Sequence, residues 1–410
     1  MTKENRLKKN FIWNTIGSFL YSATSLVFLV IVARLNSLED AGIFTFAFSN
    51  ACVFQVFGTY AGRSYQVTEK DEKLNDNAYF YNRLISVLLM IILGVSFGLV
   101  RGYDGYKFLI VFLLVLYKAL DGFSEVLYGI IQKNDRLYQV GISLFLKGTF
   151  QAIAFFAVDF LTHNIALASL ALSAVSVVVM AFYDFRMVKK CRYKLKKIDW
   201  KPSLRIFKVG FFTFLFMLLT QYLINAPKYA IDNNLSADNQ TIYGIIAMPA
   251  TVLILAGNLV IFPFLTRIKK FLKHKEIGKL NGLIGKVSAA IIVCGGLGIL
   301  ASLLLIVPLF QLLYGIDTSA QLVDTLIIIA GATLFAVTVV LSNALIAMRR
   351  TGSQAIIFIT TSLVALVLSN MMVKSSGIFG GALAYAISMM MLLLLYVVAY
   401  VYYARKEKEA

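Results

Sequence analysis

Lys118, Asp121 and Glu125 stand at i, i+3 and i+7 in an otherwise apolar run, and Tyr128 and Gln132 continue the same face. An ionisable group within hydrocarbon costs roughly 2.5–3.5 kcal/mol on insertion scales, so it faces a cavity or a partner. The stripe has two readings: a cavity wall or a proton or sodium relay, or a self-neutralising Lys118–Asp121 pair one turn apart. A second run repeats the pattern with Gln221, Asn225, Lys228 and Asp232 at i, i+4, i+7 and i+11. Pro227 lies inside it, lacks an amide hydrogen, and is expected to kink the helix where a polar ligand could meet freed carbonyls. The competing reading is that Lys228 and Asp232 lie near the external end and snorkel to water. Lys147 and Gln151 form a third polar face, and Lys147 is the deepest of these lysines. The chemistry on offer is binding of a polar ligand, with Asp121, Glu125 and Asp232 as candidates for a coupling ion.

Other reactive types do not assemble. Cys52 and Cys294 fall in apolar runs and Cys191 in a basic stretch, which gives neither a disulfide framework nor zinc spacing. His163 and His274 belong to connections expected on opposite sides of a membrane, which argues against a histidine metal site or a hydrolase triad. No phosphate-loop pattern accompanies the glycines, so ATP hydrolysis is not expected, and no cofactor is implied. Gly94, Gly98, Gly295, Gly296 and Gly298 read as close-packing or bending positions. Asn14, Ser18, Tyr21 and Ser25 form a stripe in the first apolar run, and Ser49, Asn50 and Gln55 add polarity to the second. Such groups hydrogen-bond between helices or line a sugar-accessible cavity.

These groups must be positioned by helices. Apolar stretches of about 17–25 residues recur along the chain, each long enough to cross the roughly 30 Å hydrocarbon core. Long runs without alternation satisfy their backbone in lipid only as helices. A hydrophobic fraction of 59% with only 15% charged residues fits this reading, as does a mean hydropathy of +0.78. The expected fold is an all-α integral membrane protein of about twelve transmembrane helices. The first six cover 11–34, 41–60, 79–100, 107–131, 138–160 and 165–184; the second six cover 206–230, 242–265, 287–310, 323–348, 354–373 and 379–403. Residues 1–185 and 206–410 then form two six-helix lobes, joined by a basic linker at 186–205.

The net charge of +18 lies between the spans rather than on one soluble face, so it predicts no nucleic-acid partner. Lys8 and Lys9, Arg63, Lys70 and Lys73, Lys133 and Arg136, the linker, 267–279, Arg349 and Arg350, and Arg405 and Lys406 occupy alternate connections. The opposite connections hold only Arg34, Arg101, Lys107 and Lys374. By the positive-inside rule both termini are cytoplasmic, and Trp13 and Trp200 anchor cytoplasmic helix ends. The first apolar run is too long for a signal-peptide core and is expected to remain as a helix. Two six-helix halves are also the organisation of many secondary transporters.

Residues 7–49, LKKNFIWNTIGSFLYSATSLVFLVIVARLNSLEDAGIFTFAFS, resemble the opening of a Wzx-type polysaccharide flippase of the multidrug/oligosaccharidyl-lipid/polysaccharide exporter superfamily. The resemblance rests on the KKN-x-x-WN start, the exit at Ala33, Arg34 and Leu35, and the acidic turn before Gly42. PLFQLLYG at 308–315 and SGIFGGALAYA at 376–386 extend it over the full length. It implies two lobes around a central cavity in the bacterial cytoplasmic membrane. It further implies a non-enzymatic carrier that moves undecaprenyl-diphosphate-linked oligosaccharide to the outer leaflet by alternating access. Lipid-linked oligosaccharide and membrane lipids would be its partners, with a polysaccharide polymerase and glycosyltransferases in the same pathway. Lys118, Lys147 and Lys228 would suit the diphosphate by chemistry rather than by motif. Arg34 matches a family position at an outer helix end, where snorkelling competes with substrate contact. Peptidoglycan-precursor flippases differ in carrying additional helices and charges in the first span. A cation-coupled multidrug or metabolite exporter of the same superfamily is the alternative, and a membrane polysaccharide polymerase stands further off because the external connections are short.

Overall fold

The computed structural model describes residues 3–60, 62–68, 71, 74–261, 264–348 and 350–409. Lys70, Lys73 and Arg349, counted above among the flanking cations, lie outside the described residues. Every regular element among those described is helical, and the chain divides into two compact units, Met1–Leu218 and Leu219–Ala410.

The first unit contains α1 (Lys3–Leu35), α2 (Leu38–Thr59), the short α3 (Gly62–Thr68), α4 (Asp76–Val100), α5 (Gly105–Lys133), α6 (Leu137–Thr162) and α7 (Ile165–Val179). A π-helical turn at Met180–Asp184 leads into α8 (Phe185–Lys190). Side chains start several of these helices: Ser37 accepts from the Asp40 amide, Asn75 from Asn77 and Ala78, Asp104 from Lys107, and Asn164 from Ala166 and Leu167. α5 is the centre of the unit and packs against α2, α4, α6 and α7, while α1 lies along α6. That last crossing is close because both helices are bare there. A methyl on Gly17 would overlap the Gly141 carbonyl, and one on Gly141 would meet the Trp13 backbone.

The linker is not loose. Tyr193 donates to Asn77 Oδ1 at 2.7 Å, the Lys196 amide donates to the same oxygen at 3.2 Å, and Tyr81 donates to the Lys196 carbonyl at 2.8 Å. Burial raises the Tyr193 phenol above its ordinary pKa, with Asp76 and Tyr81 adding to the effect, so it stays a donor. α9 (Trp200–Asn234) follows, and its first part joins this unit. There the Tyr60 ring stacks on Phe214 at 4.6 Å, and its hydroxyl donates to the Phe207 carbonyl at 2.7 Å.

The second unit holds the rest of α9, then α10 (Ala237–Ile246), α11 (Met248–Ile261), α12 (Leu265–Lys273), α13 (Ile277–Tyr314), α14 (Leu322–Ala347) and α15 (Thr351–Glu409). α14 is its centre and is mostly buried, whereas α13 is mostly exposed. On α13, Leu304 and Leu305 are 80% and 63% exposed, a surface suited to lipid.

Nine helices among the described residues are long and apolar enough to cross a membrane, so this is a multi-pass membrane protein. The differences from the twelve expected spans have local causes. α5 has the length, but it carries Lys118, Asp121 and Glu125. The expected 242–265 span is two helices that meet at Ala247, where Pro249 supplies no amide to the carbonyl four residues back. α15 merges the last two spans across Gly377, whose φ of 59° and ψ of −137° break the helix in a region that side chains avoid. α9 continues through Pro227 as one helix.

Candidate functional site

The polar residues of the first unit meet in one buried network. α5 presents Tyr117, Asp121, Ser124 and Tyr128 at helical spacing, and α6 presents Ser143, Lys147 and Gln151 at i, i+4 and i+8. Lys147 is 1% exposed. Its ammonium donates to Ser124 Oγ at 2.7 Å and lies 3.5 Å from Asp121 Oδ1 and 3.9 Å from Asp184 Oδ2. Ser143 donates to Asp184 Oδ1 at 2.5 Å and shares a 2.8 Å hydrogen bond with Tyr128. Tyr21 of α1 donates a short hydrogen bond to Asp121 Oδ2, and Ser176 of α7 donates to Asp121 Oδ1 at 3.2 Å. Gln151 links outward, donating to Ser176 at 2.9 Å and accepting from Tyr117 at 3.2 Å.

Two carboxylates therefore share one ammonium. Asp184 reaches the network because the π turn widens the backbone ring, with the Phe185 amide bonded to the Met180 carbonyl. Asp184 is fully buried, and its Oδ2 accepts no hydrogen bond. An excess carboxylate in a buried site is costly unless it holds a proton or a cation, and this is the chemistry the arrangement can perform.

Lys118, one residue round the helix from Tyr117, does not pair with Asp121. Its ammonium lies 5.6, 4.9 and 4.8 Å from the ring centroids of Tyr21, Phe48 and Tyr117, and the residue is 7% exposed. Aromatic faces hold a cation without neutralising it. Glu125 faces Arg63 of α3, with Nε to Oε2 at 3.6 Å.

The remaining candidates are dispersed. Asn14 is half-buried on α1, with its Oδ1 sealed from solvent and lacking a hydrogen-bond partner. Arg34 is exposed in the last turn of α1. Gln221, Asn225, Lys228 and Asp232 lie on the part of α9 in the second unit, where Asn225 donates to the Gln221 carbonyl at 2.9 Å and Lys228 and Asp232 are half-buried. Among the described residues no group of histidine, cysteine and acidic side chains could hold a metal, and the three cysteines are free.

A sequence profile of the polysaccharide biosynthesis protein family matches residues 7–269. The chain belongs to that family. As a polysaccharide biosynthesis protein it is 23% identical over 404 residues to the capsular polysaccharide biosynthesis protein CapF of Staphylococcus aureus, covering 97% of this chain and 99% of CapF. Its fold is similar to that of a multidrug resistance MATE family transporter of the MOP superfamily in an inward-facing conformation, with a TM-score of 0.75 at 11% identity and coverage of 98% and 99%. It is also similar to the lipid II flippase MurJ in an inward closed conformation, with a TM-score of 0.70 at 17% identity and coverage of 95% and 87%. A third likeness is to the Vibrio cholerae MATE transporter VcmN in a bent form, with a TM-score of 0.63 at 13% identity over 98% of both chains. The polysaccharide-family resemblance read from residues 7–49, 308–315 and 376–386 agrees with the family match and with the full-length likeness to CapF.

Sequence reading missed two buried ionisable residues, Asp184 of the network and Arg83 outside it. Asp184 ended an expected span and was read as a boundary; an acid closing the run VVVMAFYD was the available signal. Arg83, 2% exposed, donates to the Gly58 carbonyl at 2.8 Å and leaves its Nε without an acceptor. Its position inside the expected 79–100 span could have identified it.

Proposed function

We propose that this membrane protein of polysaccharide biosynthesis is a flippase that carries undecaprenyl-diphosphate-linked oligosaccharide from the cytoplasmic to the outer leaflet of the bacterial cytoplasmic membrane by alternating access. Family membership supports the pathway. The observation that carries the mechanism is the buried Lys147–Asp121–Asp184 set, an ionisable group kept within a bilayer-spanning bundle at a large solvation cost. A proton or monovalent cation entering at Asp121 or Asp184 balances the excess carboxylate. Exchange of that ion then alters how α1, α5, α6 and α7 are tied together. Lys118 on its aromatic platform, Lys147, and Lys228 with Gln221, Asn225, Gln151, Asn14 and Arg34 are the cation and amide groups assigned to the diphosphate and sugars. Glu125 and Asp232 are assigned as further ion-coupling acids. Moving negative charge outward releases roughly 2.3 kcal/mol per charge per 100 mV, so membrane potential assists the step. In this scheme the chain does no covalent chemistry.

The test is complementation. In cells lacking the chromosomal copy, Lys118→Ala and Lys228→Ala are expected to insert normally but to cut surface polymer at least about tenfold, with lipid-linked repeat units retained on the cytoplasmic leaflet. Normal polymer from both variants would remove their assignment. Dye efflux abolished by Asp121→Asn, with polymer unaffected, would favour the cation-coupled exporter.

A further inference from the structure

The basic linker builds a pocket. A cavity of about 490 Å³ opens beside the first turn of α4 and the start of α9, lined among others by Asn75, Asn77, Lys196, Lys197, Lys201 and Arg205. Its walls are fixed by the hydrogen bonds from Tyr193 and the Lys196 amide to Asn77, and by Asn82, which donates to the Ser203 carbonyl at 3.1 Å. Among the described residues its four cations outnumber Asp199 in the lining and Asp71 at 3.1 Å from Arg205, while Asp76 of the same α4 turn is paired with Lys133 at 2.9 Å, so the pocket carries a positive excess. The neighbouring side chains are greasy and outward: Leu195 is 53% and Trp200 55% exposed. A basic pocket in a segment that also exposes an indole and aliphatic side chains, beside membrane-spanning helices, matches a leaflet surface rather than free solution.

We propose that this pocket binds the phosphate-bearing headgroup of an anionic lipid of the cytoplasmic leaflet. The volume suits a glycerophosphate headgroup, and Leu195, Ile198 and Trp200 meet the upper acyl region. The lysines and Arg205 supply the charge. The site is separate from the buried network and does not rest on the transport reading.

The experiment uses the full chain carrying Trp13→Phe, which leaves Trp200 as its single indole and places that reporter beside the pocket. In neutral detergent it is titrated with dihexanoyl phosphatidylglycerol, dihexanoyl phosphatidylcholine or inorganic phosphate, and Trp200 fluorescence is followed. The expected result is a saturable, salt-sensitive change with phosphatidylglycerol alone. Its midpoint weakens at least about tenfold when Lys196, Lys197, Lys201 and Arg205 are changed to Gln, and less strongly with Lys196→Gln and Lys197→Gln only. An equal charge removal at Lys270, Lys275, Lys279 and Arg405 should leave the midpoint unchanged. The proposal is overturned if phosphate gives the same midpoint, which would make this a free-anion site, if phosphatidylcholine binds equally, or if the charge removal in the second unit weakens binding as much. The two exposed lysine changes keep the test decisive should the fourfold variant not fold.

Discussion

Lys147 has three anionic or hydroxyl partners and almost no solvent, so its removal separates structure from function. Lys147→Met leaves Asp121 and Asp184 buried without a counter-ion and is expected to cost about 3–5 kcal/mol, read as a lower unfolding temperature in detergent. Adding Asp121→Asn and Asp184→Asn removes the whole buried charge set and should recover most of that loss. Transport should stay absent in the triple variant. A triple variant that transports like the wild type would make the cluster a packing feature only. The spacing on α5 allowed an internal Lys118–Asp121 pair, yet Asp121 turns to Tyr21, Lys147 and Ser176, which lie on three other helices. Sequence periodicity identifies which face is polar but not which distant residue meets it. Arg63 likewise read as a loop cation until α3 brought it to Glu125.

Helix positions were the legible part, because length and hydropathy are local properties. The breaks were less so: the π turn at Met180–Asp184 depends on backbone hydrogen bonding that apolar runs do not record, whereas the division of α10 from α11 had its signal in Pro249. Glycines divide by what surrounds them. Gly17 abuts the Gly141 carbonyl, so Gly17→Ala should force α1 from α6 and cost about 1–3 kcal/mol. Gly296 meets nothing within 4 Å, so Gly296→Ala should be neutral or gain up to about 1 kcal/mol of helix propensity. Gly377→Ala, at positive φ in the break of α15, should cost about 1–3 kcal/mol although it also faces open space. Unfolding midpoints of the three variants check the ranking.

Over the whole chain, the cations fix a testable orientation. In a cysteine-free background, Lys197→Cys should resist an impermeant maleimide added to intact cells and react after permeabilisation, while Lys374→Cys should react from outside. The reverse pattern would invert the topology and place the basic pocket on the wrong leaflet. The proposed movement of a polyprenyl-diphosphate oligosaccharide across a bilayer is open to direct test. Purified protein in liposomes holding that lipid on the inner leaflet measures it directly, with an impermeant glycosidase outside reading the glycan as it appears. Wild-type vesicles should expose the inner pool within minutes, and vesicles with the charge-free triple variant should match empty ones. Wild-type vesicles that expose it no faster than protein-free liposomes, with or without an imposed potential or pH gradient, would contradict the account.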